Sequence, residues 1–407
     1  MRVERFAGAP RTVAEAIRAL APGGASVRAA VEEIVAAVRD GGDAALRAYA
    51  ERFDRLRPGA DVRVAAHELD AAVAALRPDV RRGLEVGMAN IAAVAGASLG
   101  DDAELTLPQG QRILVRELPV RRAAVYAPGG RNPYPSTVLM GAVTARVAGV
   151  DEIVVVSPDA HPVVLAACAL CGVDEVYRAG GAHVVSALAH GTETIERVDV
   201  ITGPGGLWVQ EAKRSVAGVV GIDGFLGPSD VFVVAGADAD PALVLADLLA
   251  QAEHGAGTVV GLATPSAALL DAVEGPLAAL ESEGVGGLVL VDDEAAGLEV
   301  AEAFAPEHLQ LMGVVAEALA PRVRSAGAVF VGGGTAFGDY VAGSNHSLPT
   351  EGSARFASSL SVRHFRRRMA EVHIGPAADA LARAGAPIAR VEGFEHHAQS
   401  MEARQNA

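Results

Sequence analysis

The feature that most constrains this chain is a series of short β-branched runs, most closed by glycines and each followed by a helix-forming stretch. Arg122-Ala-Ala-Val-Tyr-Ala-Pro-Gly-Gly130, Glu152-Ile-Val-Val-Val-Ser157, Glu175-Val-Tyr-Arg-Ala-Gly-Gly181 and Val198-Asp-Val-Ile-Thr-Gly-Pro-Gly-Gly206 alternate with apolar helical stretches near 136–147, 163–171 and 184–189. A strand can pair in parallel with the next only if the connection crosses over the sheet, so this rhythm predicts parallel sheets covered on both faces. A second set has the same rhythm: Asp230-Val-Phe-Val-Val-Ala235, Gly257-Thr-Val-Val-Gly-Leu-Ala263, Gly287-Leu-Val-Leu-Val291 and Ala328-Val-Phe-Val-Gly-Gly-Gly334. The expected fold class is α/β: two doubly wound parallel-sheet domains, incomplete Rossmann-like units, with helical N- and C-terminal extensions. Ligands of such sheets bind beyond the carboxyl ends of the strands, where the glycine turns of the first set cluster.

The chain is expected to divide into an N-terminal helical extension (1–20), a first α/β domain (21–121 with 232–362), a second α/β domain (122–231) and a C-terminal helical tail (363–407). The N-terminal part reads as helices: 12–20, a helix from Val27 stopped by Gly41-Gly42, 44–53 capped by Asp43, 67–76 and 78–99. The tail, including the arginine-rich Phe365–Met369, is too short to fold alone and must pack on something, another subunit included. With 34 basic against 50 acidic residues and no basic cluster beyond Arg366–Arg368, nucleic acid is not an expected partner. No apolar run reaches the roughly 18 residues of a membrane span, and no apolar segment follows Met1, so the expected location is cytoplasmic. Cys168 and Cys171 form a lone C-x-x-C in an apolar helix, which reads as buried thiols rather than half a zinc site.

Asp240 suits an N-cap, Pro241 the first helical position, and Gly255 a stop, so a helix is expected to run to His254. Gln251 and His254 are then i and i+3 on one face, and an amide oxygen with an imidazole can hold zinc; a solvated helix end has the same spacing. Glu307-His308 follows Pro306 and supplies two proton-transfer groups, or the acidic first turn of a helix. Residues 338–350 carry little hydrophobic periodicity and many hydrogen-bonding groups, as functional loops do. There Asp339 offers a carboxylate to the metal set, and the tail offers His397 or its neighbour His396, about 100° apart on a helix, so that only one can serve. No G-x-G-x-x-G fingerprint is present.

Taken together, Ala45–Asp54, Tyr126–Gly130, Tyr134–Met140, Gln251-Ala-Glu-His254, Ala305-Pro-Glu-His-Leu309, Gly338-Asp-Tyr340 and Asn345-His-Ser-Leu-Pro-Thr350 resemble the histidinol dehydrogenase family over nearly the whole chain. The resemblance implies a homodimer with shared active sites that oxidises L-histidinol through the aldehyde to L-histidine in two NAD-dependent steps of histidine biosynthesis. It further implies one zinc per site, held by Gln251, His254 and Asp339 of one chain and His397 of the other, with His308 as the base and Glu307 activating water for the second step. Ser229, His346 and Glu392 fall at substrate-contacting positions, beside Gln251, His254, His308, Asp339 and His397. Tyr126, His183 and Gly206 fall at NAD-contacting positions; the family usually has Gln at the second and Asn at the third. Gly255 and Leu226 also depart from the family pattern, replacing a frequent Asp and a small residue. Two further readings are a zinc enzyme of the same fold acting on another alcohol and a zinc-binding paralogue without redox activity. Retention of Glu307, His308 and Glu392 speaks for an enzyme.

Overall fold

The computed structural model describes residues 1–21, 26–129 and 132–405; Gly130, the last residue of the first glycine turn, lies outside them. Its strands are β1 (Arg2–Phe6), β2 (Ala103–Thr106), β3 (Arg112–Pro119), β4 (Arg122–Tyr126), β5 (Glu152–Val156), β6 (Glu175–Tyr177), β7 (Val200–Thr202), β8 (Gly221–Ile222), β9 (Asp230–Ala235), β10 (Val259–Thr264), β11 (Val285–Leu290), β12 (His308–Met312), β13 (Ala328–Val331) and β14 (Arg366–His373). They form a six-stranded sheet in the order β1-β11-β10-β9-β12-β13, a five-stranded sheet in the order β6-β5-β4-β7-β8, and a three-stranded sheet, β14-β3-β2. The first two are parallel throughout, and the third is antiparallel. In both parallel sheets the chain fills one side of a central strand and then returns to the other, so the topology reverses between β9 and β12 and between β4 and β7.

Alternate residues of a strand face opposite sides, and β9 uses both. Phe232 and Val234 pack with Val13, Ile17, Leu298 and Phe304 on one face of the six-stranded sheet. Val231, Val233 and Ala235 pack with Val244, Leu248, Leu270 and Val273 on the other. A strand buried on both faces must be apolar at every position, which is why these runs stand out in the sequence. On β11, a Cβ at Gly287 would lie 2.6 Å from Ile17, so glycine there lets the helix Pro10–Arg18 seat directly on the sheet.

The chain divides into two compact units: Met1–Ser98 with Arg121–Phe365, which holds both parallel sheets, and Leu99–Val120 with Arg366–Ala407. In the second unit, β14 pairs with β3 over eight residues, Arg366 opposite Pro119 to His373 opposite Arg112. The helical reading of Arg366–Met369 is therefore corrected to strand. Its side chains are half-buried or exposed, so it carries no apolar run, and a partner some 250 residues away decides its conformation. The helices Ala378–Val391 and Glu395–Glu402 follow, packed through Ala386, Ala389, Ala398 and Met401.

Two other expectations change. Arg2–Phe6 is an edge strand, paired in parallel with β11, not part of a helical extension. The helix Arg28–Phe53 contains both predicted segments, broken where Gly42 adopts φ 55° and ψ −139°; the Asp43 carboxylate, expected to cap the second, instead binds the Thr194 hydroxyl and accepts its N–H at 3.2 Å. Both cysteines are free and buried, as read from their helix, and burial raises both thiol pKa values, that of Cys171 to about 12. No helix among the described residues is long and apolar enough to cross a membrane.

Candidate active site

The acid and imidazole groups gather at the amino end of the six-stranded sheet, opposite to the usual ligand end of parallel strands. Ser229 immediately precedes β9 and Glu307 immediately precedes β12, the two strands that flank the topological reversal. Glu307 does not begin a helix: Ala305 ends the helix Glu294–Phe304 in the left-handed conformation, and the chain enters β12 at His308. The two strand starts are tied reciprocally. The Asp230 N–H donates to Glu307 Oε2 at 2.9 Å, and the Glu307 N–H donates to Asp230 Oδ1 at 2.6 Å. Side-chain anions thus satisfy the first backbone donors of two adjacent strands.

The expected helix end is corrected by two residues. Asp240 caps the helix Pro241–Ala252, accepting from Ala242 N–H at 2.8 Å, but the helix stops at Ala252. His254 lies beyond it in a tightened turn, its N–H donating to Gln251 carbonyl oxygen at 3.2 Å, ahead of Gly255 with φ 90°. Gln251 is buried and its Nε2 donates to Ser229 Oγ at 2.5 Å; Ser229 Oγ in turn donates to Glu307 Oε2. Among the described residues no hydrogen bond engages the Gln251 amide oxygen.

His308 is buried between two carboxylates. Its Nδ1 lies 3.2 Å from the Asp230 carbonyl oxygen and 3.6 Å from Glu307 Oε2, and its Nε2 lies 3.6 Å from Asp339 Oδ1. A carbonyl oxygen only accepts, so Nδ1 carries the proton and Nε2 is the basic nitrogen of the neutral ring. Burial pushes the His308 pKa down, but Glu307 and Asp339 outweigh burial and hold it well above the ordinary imidazole value. Asp339 sits on the short helix Thr335–Tyr340. Burial would raise its pKa, but His308, His346 and His254 together hold the carboxyl below its usual range. Burial lowers the His346 pKa, and its Nε2 is buried without a hydrogen-bond partner among the described residues.

Residue reading alone missed Asp230 and Arg18. Asp230 is buried; burial raises its pKa to about 6, with Arg18 opposing. Arg18 reaches it at 3.4 Å from the N-terminal helix and lies 3.8 Å from the centre of the Phe304 ring. No local pattern marks such a pair, because its members stand 212 residues apart.

In the five-stranded sheet the expected nucleotide positions lie at the carboxyl ends of the strands. Tyr126 closes β4, the turn leading to His183 follows β6, and Gly203–Gly206 follows β7, all at carboxyl ends. Tyr126 is buried; its hydroxyl accepts from Gly181 N–H at 3.1 Å, and burial pushes its pKa up to about 12. His183 is also buried. Its Nε2 pairs with Asp54 at 2.6 Å and its ring stacks on Tyr49 at 5.9 Å, so that nitrogen is committed within the protein. Gly206 is exposed as the N-cap of the helix Leu207–Val216. Glu392 and His397 belong to the second unit, where Glu392 ends the helix Ala378–Val391 and His397 lies on the next, its ring 5.2 Å from Phe394; both are exposed.

A buried carboxylate–imidazole centre on one parallel sheet and glycine turns at the ligand-binding end of another define a two-sheet α/β enzyme. A family model described as histidinol dehydrogenase matches residues 21–405. The histidinol dehydrogenase of Rhizobium meliloti is 44% identical over 400 residues, spanning 93% of this chain and 92% of that protein. That of Parasynechococcus marenigrum is 43% identical, spanning 93% and 91%. The crystal structure of histidinol dehydrogenase from Elizabethkingia anophelis superposes with a TM-score of 0.90 at 28% identity, covering 100% of this chain and 99% of that one. The chain belongs to the histidinol dehydrogenase family and is an oxidoreductase.

Proposed function

We propose that this enzyme oxidises L-histidinol through L-histidinal to L-histidine, as a cytoplasmic homodimer of histidine biosynthesis with one zinc per site and NAD as oxidant. The observation that carries the reading is the continuous run Gln251–Ser229–Glu307, continued by His308 to Asp339, at the amino end of one sheet in a member of this family. We assign the nucleotide to the 122–231 domain, at the carboxyl end of the five-stranded sheet, with Tyr126, His183 and Gly206 beside it. Most of the metal and catalytic residues belong to the domain formed by 21–121 and 232–362.

The donor set suits zinc: the free amide oxygen of Gln251, the imidazole of His254 and the carboxylate of Asp339, an oxygen and nitrogen set for a borderline cation. His397 of the partner subunit completes it. When bound, zinc holds and polarises the substrate, and NAD accepts the hydride. His308 takes the hydroxyl proton at Nε2, since Nδ1–H is engaged by the Asp230 carbonyl. Ser229 and the Asp230 N–H occupy Glu307 Oε2, leaving Oε1 to take a proton from the water that adds to the aldehyde. Each turnover consumes one water and two NAD and yields two NADH. His346 and Glu392 contact the substrate.

The test is NADH formation by the zinc-loaded protein with L-histidinol against a panel of other amino alcohols. Two NADH per L-histidinol, with the panel slower by about 100-fold or more as lost polar contacts dictate, is the expected result. Faster turnover of another alcohol overturns the substrate assignment.

A further inference from the structure

Lys213 is the only lysine of the chain; every other member of its 34 lysine and arginine residues is arginine. Arginine serves at the surface and in ion pairs throughout this sequence, so a lone lysine marks a place where a compact ammonium is needed and a planar guanidinium does not fit. Lys213 is indeed fully buried, on the inner side of the helix Leu207–Val216. Its Nζ pairs with Asp223 Oδ1 and donates to the Gly203 carbonyl oxygen at 3.1 Å. Asp223 Oδ2 accepts the Gly203 N–H at 2.7 Å. One buried ion pair therefore holds both backbone polar groups of Gly203.

That glycine has no room to move. Its φ is 112°, and a Cβ there would lie 2.2 Å from the Tyr126 carbonyl oxygen, so the turn after β7 passes against the end of β4. Gln210, three residues before Lys213 on the same helix, adds a second hold: its Nε2 donates to the carbonyl oxygens of Gly205 at 3.1 Å and Leu226 at 2.7 Å. The inner face of one helix thus grips the glycine turn that starts it. The first amides of that helix have no intrahelical partner, and Gly206 offers no side-chain cap. A buried ion pair is a poor source of stability compared with apolar packing, so stability does not account for it.

We propose that Lys213 and Asp223 are positioning residues for the dinucleotide: by clamping Gly203 they hold the Gly203–Gly206 turn and the first amides of the following helix in register with Tyr126. This rests on the assignment of NAD to this end of the five-stranded sheet. The test compares the full-length zinc-loaded protein with the Lys213→Met/Asp223→Leu double variant, which replaces the pair by apolar groups. NAD and L-histidinol affinities are measured by calorimetry, together with Tm and steady-state kinetics. The expected result is a folded protein with a lower Tm, since Gly203 loses both partners, NAD affinity and KM for NAD weakened about 10-fold or more, and histidinol affinity and kcat at saturating NAD little changed. NAD affinity unchanged in a folded double variant, or NAD and histidinol weakened alike, overturns the positioning role. Should the double variant not fold, Asp223→Asn, which keeps an acceptor for Gly203 but not the charge, is read in the same way, with about 3-fold weaker NAD binding expected and unchanged binding overturning the role. An unmodified protein that binds histidinol but not NAD overturns the nucleotide assignment itself and the proposal with it.

Discussion

Replacing Glu307 with glutamine should separate the two proposed oxidations. The side chain is buried, and Oε2 accepts from Asp230 N–H at 2.9 Å and from the Ser229 hydroxyl; a glutamine carbonyl can accept both, so these two hydrogen bonds change by no more than about 1 kcal/mol. What is lost is a charge 3.6 Å from His308 Nδ1, an interaction of about 5 kcal/mol at an effective dielectric near 20. Losing it lowers the His308 pKa, so the ring is more readily neutral and able to take a proton. Alcohol oxidation should therefore fall by less than about 10-fold. Aldehyde oxidation, in which we propose that Glu307 is the base toward water, should fall by roughly 10²–10⁴-fold, equivalent to about 3–5 kcal/mol of barrier. The assay is NADH formation from L-histidinol with the aldehyde trapped by semicarbazide, beside NADH formation from L-histidinal. Yield per histidinol should drop from two NADH toward one. His308→Asn, in contrast, should depress both steps. Equal losses in both steps for Glu307→Gln would refute this division of roles.

Asp339→Ala and His397→Ala proteins should each be inactive, yet a co-refolded mixture should regain up to roughly a quarter of its sites, because half the dimers are mixed and each mixed dimer rebuilds one of two sites; a mixture that stays inactive while dimeric contradicts shared sites. At Gly206, φ is −66° and a Cβ would meet nothing within 4 Å, so Gly206→Asn should fold normally and tighten NAD binding about 2- to 13-fold by one added hydrogen bond, measured by calorimetry. His183→Gln alone should gain little, because His183 is tied to Asp54 and the substitution breaks that contact. The Asp230 pKa, raised from 3.8 to about 6, makes its contribution to stability greatest below pH 4 and progressively lost as pH rises to about 6. Asp230→Asn, compared with the unmodified protein by denaturant titration, should thus gain in relative stability by about 1–3 kcal/mol between pH 4 and pH 7; a pH-independent difference would contradict the shift.

Much of this molecule is written locally. The runs that became β4, β5, β9 and β10 are apolar at nearly every position because both faces of a parallel sheet are covered, and glycines mark the ends of β4 and β9. The cap at Asp240 and the buried fate of Cys168 and Cys171 were equally legible, since each depends on neighbours within a few residues. Gln251, His254, Glu307, His308 and Asp339 could be named as chemically capable groups, and family resemblance joined them to Ser229, His346, Glu392, His397 and the nucleotide positions.

Only the tertiary structure decided which end of the sheet the chemistry occupies. Glu307 and Asp230 meet because β9 and β12 are neighbours across the topological reversal, 77 residues apart in sequence, and each carboxylate answers the other strand's first N–H. Still longer separations in sequence hid β14, a strand whose half-exposed side chains give no periodicity and whose partner is β3, and hid Arg18, whose reach to Asp230 depends on Ile17 seating over Gly287. Lys213 stood in plain view as a solitary lysine, but its role required seeing that the helix it occupies folds back on the turn that begins it. Periodicity and capping are set by nearest neighbours and survive in the sequence; strand order, register and buried charge pairing are set by which distant surfaces exclude water together, and only the folded chain specifies those.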